Sequence, residues 1–112
     1  MALDLIRKQE ARVPSIWWSE IRNLLIVNER RGRISEVDTS AFLRELSKLW
    51  VTVDRAPEEG GVMALARKHE LTVYDACYLE LALREACPLA ALDKDLIRAA
   101  RAENIQLLQD EA

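Results

Sequence analysis

The stretch LTVYDACYLELAL, residues 71–83, reads as a short extended piece running into a helix. Thr72 and Asp75 have the Thr-x-x-Asp spacing of a capping box, which places the helix start there. Leu79, Ala82, Leu83 and Ala86 then recur at three- and four-residue steps and give one apolar face. Asp75 falls in the first turn, between Tyr74 and Tyr78. Taken alone, its carboxylate is explained by the helix dipole, an interaction of about 0.3–1 kcal/mol. Whether it does more depends on the chain around it.

The chain has 112 residues, half of them hydrophobic and 31% charged, which suits a single domain spanning residues 1–112. A net charge of −3 argues against holding nucleic acid by bulk electrostatics and leaves room for a local basic face. Cys77 and Cys87 match no zinc or redox spacing; they fit packing roles in a reduced, cytoplasmic protein. The single histidine, His69, follows a basic pair at a helix end and is expected to meet the dipole there. One histidine excludes a His-rich zinc site. The N-terminal MALDLIRKQE lacks the pattern of a signal peptide, and no apolar run is long enough to cross a membrane.

Outward from residues 71–83, the pattern alternates. A helix is expected over Ala2 to Ala11, a strand over Val13 to Trp17 with Pro14 near its start, and a helix over Trp18 to Arg31 stopped by Gly32. Ser35 and Asp38 form a second capping box, opening a helix to Trp50. A strand follows over Val51 to Asp54, then a helix from Pro57 to Glu70 whose start Gly60 and Gly61 should weaken. Pro88 to Leu92 reads as a buried strand, Lys94 to Asn104 as a helix, and Ile105 to Leu108 as a last strand before a frayed tail. Strands alternating with helices predict a mostly parallel α/β sheet covered on both faces, with sites beyond the carboxyl ends of the strands.

That rule selects three acids at strand-to-helix junctions: Glu20 after Trp17, Asp75 after Val73, and Asp93 after Leu92. Acids are favoured at helix starts in any case, so three unrelated dipole partners remain an explanation. The alternative is convergence. Two carboxylates about 4 Å apart repel by roughly 4 kcal/mol at an effective dielectric near 20. A cluster of them calls for a cation, and an all-oxygen set without His or thiolate suits Mg²⁺ or Mn²⁺. Such a metal beside basic residues is an arrangement for water attack on a phosphodiester. Arg22, Arg30, Arg31 and Arg33 come near one junction, Lys94 and Arg98 near another; taken singly, each reads more readily as solvated surface.

In PSIWWSEIRNLL (Pro14 to Leu25), LTVYDACYLELAL and LAALDKDLIRAA (Leu89 to Ala100) the sequence resembles the PIN-domain ribonucleases, and among them the VapC-type toxins of bacterial toxin–antitoxin pairs. The resemblance covers essentially the whole chain. It implies a three-layer α/β/α fold, here with four predicted strands and about seven helices. It implies metal ligands at Glu20, Asp75 and Asp93, with Asp95 a weaker addition, and supporting roles for Thr72 and Asn23. It also implies Mg²⁺- or Mn²⁺-dependent cleavage of single-stranded RNA, homodimerisation, and inhibition by an antitoxin protein. Leu25, Phe42, Leu46 and Trp50 are the candidate groove residues for that antitoxin, or ordinary core. Family members open with an apolar strand ending in Asp, followed by a helix. Neither is in this sequence, and Asp4 does not replace the Asp. An N-terminally truncated PIN-like domain is therefore expected, with a catalytically impaired, antitoxin-binding remnant as the other reading.

Overall fold

The computed structural model describes residues 11–91 and 93–108. The expected helix from Ala2, apart from Ala11, lies outside the described residues, with Asp4 in it. So do Leu92 and the tail from Gln109.

Strand β1 (Ala11–Pro14) leads into helix α1 (Ile16–Arg30), then α2 (Glu36–Leu46) and strand β2 (Val51–Asp54). Helices α3 (Glu59–His69), α4 (Val73–Arg84) and α5 (Lys94–Ala102) follow. β1 and β2 pair in parallel, Ala11 opposite Val51 through Pro14 opposite Asp54. A second parallel contact is a single bridge between Leu89 and Leu107, closed by the Leu89 amide donating to Gln106 O and the Leu108 amide donating to Leu89 O, both 2.9 Å. The parallel α/β character is as expected. The count is not: among the described residues there are two strands and five helices, where four strands and about seven helices were expected. Leu89 and Leu107 are buried, yet the stretches around them share only one bridge.

The boundaries shift for local reasons. β1 occupies Ala11–Pro14 rather than Val13 to Trp17, and Pro14 ends it. A residue without an N–H cannot extend the ladder, so Ile16 and Trp17 join the helix instead. α1 closes at Gly32, whose φ of +68° is the left-handed region that glycine enters freely, and the Arg33 amide donates back to Asn28 O at 2.9 Å. Gly60 and Gly61 fall in the first turn of α3. Their amides donate to the Glu58 carboxylate, which caps the helix, and a Cβ on Gly61 would stand 2.8 Å from that carboxylate. Pro57 lies just ahead of this cap rather than within the first turn.

The core belongs to the second half of the chain. Val62 and Leu65 of α3, Leu71, Ala76, Leu79 and Ala82 around α4, Ala99 and Ala100 of α5, and Leu89 with Leu107 form one buried cluster. Complete burial of Leu79 alone contributes about 2 kcal/mol. Cys77 packs against this cluster, and burial pushes both its thiol and that of Cys87 up, as suits packing residues. α1 buries only Leu25, and α2 buries no side chain fully. His69 is not a simple dipole partner. It is buried, its Nε2 lies 2.7 Å from Glu103 Oε2, and Lys68 reaches the same oxygen at 2.7 Å, so the ends of α3 and α5 are tied together.

Candidate active site

Glu20, Asp75, Asp93 and Asp95 are brought into one electrostatic neighbourhood. The Asp75 carboxyl is held above its ordinary value, first by burial and then by the negative charges of Asp93, Glu20 and Asp95; the Thr72 hydroxyl partly offsets this. Three different helices deliver these acids, and each does so in its own way.

Asp75 is the third residue of α4. Thr72 caps the helix, its Oγ1 accepting from the Asp75 amide at 3.1 Å. The Thr72–Asp75 pair is only half a capping box. At Ser35 and Asp38 both bonds form: Ser35 Oγ accepts from the Asp38 amide, and Asp38 accepts from the Ser35 amide at 2.9 Å. At α4 the return bond is not made, so the Asp75 carboxylate is not used in closing the cap.

Asp93 caps α5 outright, its Oδ1 accepting from the amides of Asp95 and Leu96 at 3.0 Å each. Its second oxygen takes neither bond. Asp95 is exposed and is approached by Arg98 at 3.4 Å. Glu20 lies where the expected boundary did not place it. α1 starts at Ile16, so Glu20 is beyond the first turn, where the dipole has faded, and no acid occupies that first turn. The dipole therefore does not explain Glu20. What touches it is Tyr78, whose hydroxyl donates to Glu20 Oε1 at 2.5 Å. Burial and this acceptor push the Tyr78 phenol up, so it remains a donor. The pairing was hidden in the sequence because the partners lie on different helices; its only trace is that Tyr78 stands one turn after Asp75 on the same face.

Asn23, exposed on α1, has no hydrogen bond to the acids. Arg22 is folded back, stacking over Trp18 at 4.2 Å from the ring centroid and donating to Trp18 O. Leu25 is buried and so does not line a groove. Phe42 and Trp50 are exposed, as are Trp18, Leu24, Ile26 and Val37. The last four are not among the candidate groove residues that the resemblance implies.

The donors around Asp75 are all oxygens and their charge is negative, which fits a hard divalent cation in kind. As the side chains stand, no three His, Cys, Asp or Glu among the described residues form a closed metal-binding group. None of the described helices is long and apolar enough to cross a membrane.

The PIN domain family model matches residues 2–102. The chain is also similar to Ribonuclease VapC3 of Pyrobaculum aerophilum, 36% identical over 80 residues. That overlap takes in 69% of this chain and 61% of the relative, so the chain spans less than two thirds of that relative's length.

Proposed function

This chain belongs to the PIN-domain family, and on that premise we propose that it is a VapC-type ribonuclease cutting single-stranded RNA. In this reading Glu20, Asp75 and Asp93 hold Mg²⁺ or Mn²⁺, with Asp95 a weaker fourth. The similarity to a protein named a ribonuclease supports the reaction class. The observation that carries the site is Asp75, pressed on by acids from two other helices and, among the described residues, by no compensating cation.

The chemistry a bound Mg²⁺ or Mn²⁺ supplies is acidification of a coordinated water and screening of the phosphate's charge. The chain's own residues set the stage for it. Thr72 fixes the start of α4 and so the direction of Asp75. Asp93 is held by two backbone amides through one oxygen, leaving the other to face a ligand. Tyr78 occupies one oxygen of Glu20. Lys94, exposed in the first turn of α5, stands next to Asp93 and supplies positive charge for a phosphate.

A cognate antitoxin is the proposed protein partner, its apolar segment covering Leu24, Ile26, Val37 and Phe42 on α1 and α2, and a homodimer is the proposed assembly. The direct test is cleavage of single-stranded RNA by the 112-residue chain, with Mg²⁺ or Mn²⁺ and with chelator. The expected outcome is cleavage that chelator stops and Asp75→Asn abolishes. Equal degradation with and without chelator overturns the metal reading.

A further inference from the structure

We propose that Tyr78 is a positioning residue for the cation site, acting through Glu20. This rests on the nuclease reading above and assigns a role within it. The hydrogen bond from the Tyr78 hydroxyl to Glu20 Oε1, 2.5 Å long, is the one side-chain hydrogen bond joining α1 to α4 among the described residues. The Tyr78 ring is half-buried and packs against the core cluster, so the position of the hydroxyl is set by that packing. Glu20 is exposed and on its own would wander through three side-chain torsions. The bond takes up Oε1, and Oε2 has no hydrogen bond among the described residues.

The kind of donor matters as much as its place. An arginine or lysine beside Glu20 would neutralise it and compete with any incoming cation. A tyrosine hydroxyl orients the carboxylate and leaves its charge intact, as outer partners of metal-binding carboxylates commonly do. The same pairing brings Glu20 towards the helix that carries Asp75, although 58 residues separate Tyr78 from Glu20 in sequence.

The test is a Mn²⁺ titration followed by thermal melting on the wild type, Tyr78→Phe, Glu20→Gln and the double variant. Tyr78→Phe is expected to weaken Mn²⁺ binding by about tenfold. In the Glu20→Gln background the same change should cost nothing further, because the residue through which Tyr78 acts is gone. An equal loss in both backgrounds, or no loss in either, overturns the assignment to Tyr78 while leaving the nuclease reading standing. No Mn²⁺ response in the wild type overturns both. Should Tyr78→Phe fail to fold, 3-fluorotyrosine at position 78 carries the question. Its ¹⁹F resonance should move on adding Mg²⁺ to otherwise wild-type protein and stay still with Glu20→Gln; a resonance that ignores Mg²⁺ in both overturns the proposal.

Discussion

The two ends of α4 treat their acids in opposite ways. At the C-terminal end Glu80 is buried and Asp54 nearly so, and Arg84 joins both: Nε to Glu80 at 2.7 Å, Nη2 to Asp54 at 2.7 Å. Arg84 also reaches Glu85, which Arg12 pairs from β1. At the N-terminal end Glu20, Asp75 and Asp93 have no ion pair among the described residues; Glu20 accepts from a phenol, Asp93 accepts from backbone amides, and the Asp75 carboxyl lies beside the Thr72 hydroxyl. One end is closed by the protein's own cations. The other has carboxylates oriented and left charged. Structural acids need internal compensation because a buried charge without it is costly. Acids that are to hold an external cation, as proposed for Glu20, Asp75 and Asp93, would have to forgo it.

The largest test of this contrast is Arg84→Ala, which strands Glu80 in the core. A loss of about 3 kcal/mol is expected in urea denaturation, at the low end for such pairs because Arg84 is itself partly exposed. Next is Asp38→Ala, which opens the complete box at α2 and should cost about 1 kcal/mol. Asp75→Asn should act with the opposite sign. Without metal it is expected to relieve repulsion and stabilise by some tenths of a kcal/mol up to about 1, and to abolish the rise in melting temperature expected of the wild type on adding Mg²⁺ or Mn²⁺. A destabilising Asp75→Asn with no metal response would make the two boxes alike.

The smallest effect is in pH. The folded Asp75 binds its proton more tightly than the unfolded residue, whose ordinary value is 3.8. Its penalty is therefore complete above the raised folded value and disappears as pH falls through it. The stability advantage of Asp75→Asn, measured by urea melts, should shrink on acidification.

The sequence made the helices legible because their caps and stops are local: Ser35, Thr72 and Gly32 all act within a few residues of themselves. It placed Glu20, Asp75 and Asp93 at helix starts by the same logic, and for Glu20 that logic failed, since Pro14 ends β1 early and draws Ile16 and Trp17 into α1. The strands over Leu89 and Leu107 were overestimated because an apolar run reports burial, whereas a ladder depends on partners elsewhere in the chain. The Tyr78–Glu20 bond, the Arg84 network and the His69–Glu103 tie lay outside its reach for one reason. Each joins residues at least 30 positions apart, except for the Arg84–Glu80 and Arg84–Glu85 links, and nothing in periodicity or spacing encodes such a long-range meeting.

Leu25 is the one buried side chain of α1, while α4 buries Ala76, Leu79, Glu80, Leu81 and Ala82. Amides in a helix so tied to the core exchange with solvent only when the whole domain opens, whereas a lightly anchored helix exchanges by smaller, cheaper openings. Glu20 therefore stands on the faster-exchanging side of the acidic group and Asp75 on the slower. A cation gripping both carboxylates would draw α1 into the slow class, so hydrogen–deuterium exchange across residues 16–30 would register the ion far from any atom that touches it.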